Sequence, residues 1–245
     1  MAETLGMRTG LDVMTPAHIN YEGEPPYRVV YLLHGLSDNH TCWRDNTQLA
    51  RFADEYHVIF ICPEVQRSFY ADMKHGPKYF TYITEELPQI CQRLFHIPAD
   101  REHTFVMGLS MGGYGALKCA LTKPEQYAGC GAFSAACDLE QIIKESLPVL
   151  KEEIQGITGM DLRIAPENDV FLLAKKCSQS PVKPRIYMTC GTEDHIHDMS
   201  VKFRDYMQKL DFDYTYEEWQ GAHDWYFWND SLRRALAHLL PDLQK

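Results

Sequence analysis

Short apolar runs alternate with amphipathic stretches over most of this chain. The first clear run, Val29-Val30-Tyr31-Leu32-Leu33, falls within 28–33, and others follow at 58–62, 104–109, 130–134, 185–190 and 214–219. Several are apolar at successive positions rather than at every second one, as expected of strands covered on both faces. Between them, apolar residues spaced three and four apart predict helices over 46–53, 84–95, 114–121, 199–210 and 231–240. Pro124 stops the third of these. A short first strand is expected at 11–14, Leu11-Asp12-Val13-Met14, close enough to the start of the chain that the sheet edge is expected to be trimmed. Strands alternating with helices imply a mostly parallel sheet with helices on both faces, an α/β class. The simplest arrangement is one domain over 1–245. Residues 138–184 are the least regular and are expected to form a small cap of helices and loops over the strand ends.

Charge narrows the partners. Thirty-four acidic residues against 24 basic ones leave a net charge of -10, which argues against nucleic acid or an anionic membrane as the main partner. No apolar run reaches the ~18 residues of a membrane span. Met1-Ala2-Glu3-Thr4-Leu5 lacks the basic start and apolar core of a secretory signal, so a cytoplasmic location is the default expectation. The eight cysteines form no C-x-x-C pair and lie mostly in apolar stretches, which points to buried thiols rather than disulfides.

The chemistry concentrates at Gly108-Leu109-Ser110-Met111-Gly112, between an apolar run and a helical pattern. Strand, G-x-S-x-G, helix is the layout of a nucleophile elbow, with glycines where side chains would meet the flanking strand and helix. The bland alternative is a glycine-rich turn before a helix. A serine hydroxyl needs a base, and the base needs an orienting acid. The loop after 185–190 reads Gly191-Thr192-Glu193-Asp194-His195, and the loop after 214–219 reads Gln220-Gly221-Ala222-His223-Asp224. His223 is the candidate base and Asp194 the candidate acid, with Glu193 and Asp198 as competing carboxylates. For the oxyanion of an attacked carbonyl, the candidate donors are the amides of Met111 and Leu36, the latter in the loop His34-Gly35-Leu36-Ser37. His34 reads as an orienting residue of that loop, and His40 as a surface residue. His195 and His197, two apart on a loop, resemble half a zinc site, but no further ligand cluster supports one; no metal and no cofactor are expected. Trp43, Trp219, Trp225 and Trp228 read as core or rim aromatics, and Trp225 and Phe227 as candidate walls of an acyl pocket.

The chain resembles the esterase D-like α/β-hydrolases, the group of tributyrin or acetyl esterases, cinnamoyl (feruloyl) esterases and S-formylglutathione hydrolases. The resemblance rests on Tyr31-Leu32-Leu33-His34-Gly35-Leu36-Ser37-Asp38, Ser68-Phe69-Tyr70-Ala71-Asp72-Met73, Tyr82-Ile83-Thr84-Glu85-Glu86-Leu87-Pro88, the stretch from Gly108 to Lys118, Cys190-Gly191-Thr192-Glu193-Asp194 and His223-Asp224-Trp225-Tyr226-Phe227-Trp228. It implies an α/β-hydrolase fold, a triad of Ser110, Asp194 and His223, and Leu36 and Met111 as oxyanion amides. It leans toward the tributyrin or acetyl esterase branch. S-formylglutathione hydrolases typically carry threonine-cysteine after His-Gly-Leu, where Ser37-Asp38 stands here. The implied substrate is a small-molecule ester with an acetyl to butyryl acyl group, or a hydroxycinnamoyl one. A thioesterase or acyltransferase on the same scaffold is the alternative, and a non-catalytic binding protein the remote one. A homo-oligomer also fits the resemblance.

Overall fold

Seven strands form a single sheet in the computed structural model, which describes residues 1–17, 27–95 and 97–241. They are β1 (Leu11–Met14), β2 (Arg28–Leu33), β3 (Val58–Pro63), β4 (Thr104–Leu109), β5 (Gly129–Phe133), β6 (Arg185–Gly191) and β7 (Tyr214–Trp219), in the spatial order β1-β3-β2-β4-β5-β6-β7. Only β1 runs antiparallel, with Leu11 opposite Pro63 and Met14 opposite Phe60. The remaining pairs are parallel, from Arg28 opposite Val58 in β2–β3 to Gly191 opposite Trp219 in β6–β7.

The helices are α1 (Cys42–Asn46), α2 (Leu49–Tyr56), α3 (Tyr79–Thr81), α4 (Leu87–Phe95), α5 (Met111–Thr122), α6 (Leu139–Thr158), α7 (Val170–Cys177), α8 (His197–Met207) and α9 (Trp225–Leu239). The continuous apolar strands explain the layering. Side chains alternate across a strand, so β2 sends Val29, Tyr31 and Leu33 into one core and Val30 and Leu32 into the other. The first core is closed by α4, α5, α7 and α8, through residues such as Leu87, Leu117, Leu173 and Phe203. The second is closed by α1, α2 and α9, through Trp43, Phe52, Leu232 and Leu236. Each fully buried side chain of this kind contributes about 1.5–3 kcal/mol relative to an exposed one.

Several helix boundaries differ from those the periodicity predicts. The helix expected at 46–53 is two, because Thr47 is extended (φ -132°, ψ 175°) and turns its hydroxyl back onto the Trp43 carbonyl. The helix expected at 84–95 continues a helical path from Tyr79 through a π turn at Tyr82–Glu86. Pro88 has no N–H to offer the Thr84 carbonyl, and the Leu87 amide reaches back five residues to Tyr82. The last helix starts at Trp225, well before 231, because the Asp224 side chain caps it through the Phe227 amide. Residues 138–184 are more regular than their sequence pattern suggests, holding the 20-residue α6 with a kink at Leu150, and then α7. Among the described residues no helix is long and apolar enough to cross a membrane.

Candidate active site

The loops after β2, β4, β6 and β7 emerge at the same end of the sheet, the carboxyl ends of its parallel strands, which is where open α/β sheets bind ligands. Ser110 sits between β4 and α5 with φ 52° and ψ -117°, a conformation a non-glycine residue adopts only under constraint. The constraint is visible. The Ser110 amide donates to the Phe133 carbonyl at 2.8 Å, and the Ser110 carbonyl accepts from Tyr114 at 3.0 Å and Ala136 at 3.1 Å. The turn is tight enough that a Cβ at Gly108 would stand 2.4 Å from the Gly112 oxygen, and one at Gly112 would stand 2.3 Å from the Leu33 oxygen. Glycine is required at both positions by packing, independently of backbone angle.

His223 and Asp194 meet Ser110 from two neighbouring loops. Those loops touch backbone to backbone: a Cβ at Gly191 would lie 2.2 Å from the Gly221 oxygen, and the Glu193 amide donates to that oxygen at 2.9 Å. His223 Nε2 lies 3.0 Å from Ser110 Oγ, and Nδ1 lies 2.9 Å and 3.0 Å from the two carboxylate oxygens of Asp194. A carboxylate can only accept, so Nδ1 carries the proton and Nε2 is left as an acceptor for the serine hydroxyl. Asp194 is buried, and burial alone would raise its carboxyl. The hydrogen bond and charge of His223, the Ile196 amide and the Ser134 hydroxyl outweigh that and hold it below the usual carboxylate range. Ser134 in turn accepts from the Trp228 indole at 3.1 Å, and the Trp228 ring meets His223 edge-on at 4.9 Å. The imidazole is thus held by a carboxylate on one side and an aromatic wall on another.

The Met111 amide is the first of α5, and the Leu36 amide follows Gly35 beside Ser110. Neither donates to another protein group among the described residues. His34 fixes the second of them. The Val65 amide donates to His34 Nε2 at 3.1 Å, so the proton is on Nδ1, which donates to the Gly35 carbonyl at 2.7 Å. That carbonyl and the Leu36 N–H belong to one planar trans peptide and point in opposite directions. Binding the oxygen at His34 therefore turns the N–H outward.

A family model described as "Putative esterase" matches residues 2–239. The chain is a member of that esterase family. An acetyl esterase from Caldicellulosiruptor saccharolyticus is 30% identical over 216 residues, 85% of this chain and 81% of that one. Among solved structures, the substrate-bound fluorophosphonate-binding serine hydrolase F (FphF) of Staphylococcus aureus is similar with a TM-score of 0.88 at 29% identity, covering 98% of this chain and 95% of that one. The S-formylglutathione hydrolase FrmB of Staphylococcus aureus is similar with a TM-score of 0.82 at 28% identity, covering 97% and 94%. The fold is the α/β-hydrolase fold, and the enzyme class of the chain is serine carboxylic-ester hydrolase.

The remaining sequence candidates fall in varied places in this esterase. Glu193 is exposed and accepts from Gln220, and Asp198 is exposed in the first turn of α8, so neither stands at His223. His197 pairs with Glu218 at 3.0 Å and turns away from His195, whose exposed ring meets His223 edge-on at 4.5 Å. Asp194, His195 and His223 do offer three ligand atoms within 4.8 Å of one another. Two of those atoms already share the Nδ1 proton, which a cation would have to displace. His40 is half-buried against Glu64 rather than free on the surface. Phe227 is not a pocket wall: its ring is buried and stacked on Trp219 at 4.4 Å, because the first turn of α9 sends that position into the second core. Trp225 is half-buried between Trp43 and Trp228 and borders a surface groove with Asp45, Gln48, Tyr226 and Asn229. Sequence reasoning missed Ser134 and Trp228 as supports of Asp194 and His223. It also missed Asp38, whose half-buried carboxyl burial raises, against the charges of His34 and His223 and the Gly35 amide. Asp38 and Trp228 lie within the segments that carry the resemblance, but the chain does not show which way their side chains point, and Ser134 lies outside those segments and meets Trp228 across the fold.

Proposed function

We propose that this esterase hydrolyses short-chain acyl esters through Ser110, His223 and Asp194, with the Leu36 and Met111 amides as the oxyanion hole. The observation that carries the reading is the continuous hydrogen-bonded line from Ser110 Oγ through both ring nitrogens of His223 to Asp194. The serine oxygen attacks the ester carbonyl carbon while Nε2 takes its proton. Asp194 stabilises the imidazolium, and the two amides stabilise the tetrahedral oxyanion. Collapse breaks the ester C–O bond, the alcohol leaves with the proton from Nε2, and an acyl-serine remains. Water then attacks that acyl group with His223 again as base, releasing the acid and restoring the serine.

Acetyl to butyryl groups are the favoured acyl class, supported by the similarity to an acetyl esterase. A thioester reading is supported by the similarity to an S-formylglutathione hydrolase. Rates on nitrophenyl acetate, nitrophenyl butyrate, methyl ferulate and S-formylglutathione, measured side by side, separate acyl size, aromaticity and leaving group. Ser110→Ala tests the site itself. Its hydrolysis of nitrophenyl acetate should fall by at least ~10³-fold, and an unchanged rate would remove the nucleophile from the reading.

A further inference from the structure

Lys118 is an unexpected residue where it stands. It lies on the inner face of α5, two turns after Ser110, and is only 2% exposed. Among the described residues no carboxylate lies within 4.0 Å of its ammonium. A buried cation without a counter-charge is destabilising unless its protons are well placed. Here they are. Nζ donates to the Tyr70 carbonyl at 2.9 Å and to Asn168 Oδ1 at 2.6 Å, and stands 4.5 Å from the centre of the Phe80 ring.

The Tyr70 carbonyl needs such a donor because of its local backbone. Phe69 and Tyr70 both have positive φ, 47° and 50°, outside any strand or helix. Left-handed backbone is unfavourable at a bulky residue, so two in succession require external ties. Lys118 provides one from below. The other tie leads to the site: the Tyr70 hydroxyl donates to the His34 carbonyl at 2.9 Å. Next along the chain is the Gly35–Leu36 peptide, whose oxygen the His34 ring holds. Asn168, Lys118, Tyr70 and His34 thus form an unbroken buried line that ends at the Leu36 amide, and all four side chains are at most 5% exposed.

We infer that Lys118 and Tyr70 are positioning residues for hydrolysis, holding the His34-Gly35-Leu36 segment so that the Leu36 N–H meets the oxyanion. The inference rests on the proposed oxyanion role of Leu36. Neither residue touches substrate. Their effect falls on the transition state, where the negative charge develops, and leaves ground-state binding largely alone.

The test uses Tyr70→Phe, which removes a single oxygen, and Lys118→Met, which keeps the length of the side chain without its charge. Active sites are titrated with a fluorophosphonate, so that kcat is counted per competent molecule. For Tyr70→Phe on nitrophenyl acetate, kcat per site should fall about 10-fold with KM within about 2-fold, since an oxyanion donor is worth ~10²–10³ in kcat and here is misaligned rather than removed. Lys118→Met should fall at least as far. A purely structural role would lower the melting temperature or the titratable fraction while leaving kcat per site intact, and that result overturns the inference. If Lys118→Met does not fold, Tyr70→Phe decides alone. Ser110→Ala, run in parallel, separates the two levels: its retention of activity would refute the site, whereas its inactivity beside a wild-type kcat in Tyr70→Phe refutes only the positioning role.

Discussion

Gly112→Ala is the most exacting test of the site's geometry, because the added methyl group has nowhere to go. Its carbon would stand 2.3 Å from the Leu33 carbonyl oxygen and 2.7 Å from that of His34. A carbon and a carbonyl oxygen come no closer than about 3.3 Å in ordinary contacts, so about 1 Å must open between the start of α5 and the end of β2. Both sides of that gap are backbone, which cannot swing aside. The Met111 amide rides on one side and the Leu36 amide follows from the other, so the opening pulls the two proposed oxyanion donors apart. A displacement of ~1 Å at reacting groups can lower a rate by ~10²-fold. Overpacking of this kind destabilises by about 1–3 kcal/mol, which for a chain of this size lowers the melting temperature by a few to about ten degrees. The assay is kcat on nitrophenyl acetate per titrated site, alongside thermal melting. Gly156→Ala is the control: the Cβ there would crowd the Met73 terminal methyl at 2.7 Å, the end of a flexible side chain, and meet the His75 carbonyl oxygen at an ordinary 3.7 Å. Near-wild-type activity is expected of that variant. A Gly112→Ala enzyme with kcat within twofold of wild type would refute the argument that this contact sets the donor spacing.

Two further predictions concern charge. Asp194→Asn should lower kcat by ~10³–10⁴-fold through loss of the correct imidazole tautomer. Because the folded carboxyl lies below its ordinary value, its stabilising contribution is complete above about pH 4 and fades as pH falls through the folded value. The asparagine variant should therefore lose melting temperature less steeply than wild type on acidification below pH 4, and parallel curves would contradict this. Burial pushes the Lys118 ammonium down to about 8 from its ordinary 10.5, against the charges of Asp72 and Glu167. Between those values the unfolded chain binds a proton at this site that the folded one lacks, so the contribution of Lys118 to stability rises with pH across that window by about 3 kcal/mol. The neighbouring Cys119 thiol, pushed up by burial to about 12, contributes in the opposite sense, because in the unfolded chain it ionises within the window, and it does so in both wild type and Lys118→Met. By denaturant unfolding, the free-energy difference between wild type and Lys118→Met should shift toward wild type by about that amount from pH 8 to 10.5; a constant difference would count against it.

The features legible in sequence were those carried by neighbours in the chain. Continuous apolar runs located the strands of the sheet, and G-x-S-x-G together with the two strand-end loops brought forward Ser110, Asp194 and His223, residues that the fold assembles at hydrogen-bond distance. Boundaries escaped where a single side chain overrides periodicity, as Thr47 does by ending α1 and Asp224 by starting α9 among four consecutive aromatic residues. Phe227 was misread because its nearness to His223 along the chain says nothing of its direction in space; the helix turns it onto Trp219. Ser134, Tyr70 and Lys118 could not be singled out, since each derives its role from partners 36 to 94 residues away.

The order in which the parts occur along the chain has a consequence for biosynthesis. Ser110 leaves the ribosome more than a hundred residues ahead of His223, and the wall supplied by Trp228 comes later still. A nascent or prematurely terminated polypeptide that stops before the β7–α9 unit carries the alcohol with no imidazole to activate it. Under the proposed mechanism such a fragment is silent toward esters, and hydrolytic capacity switches on only when the closing segment docks.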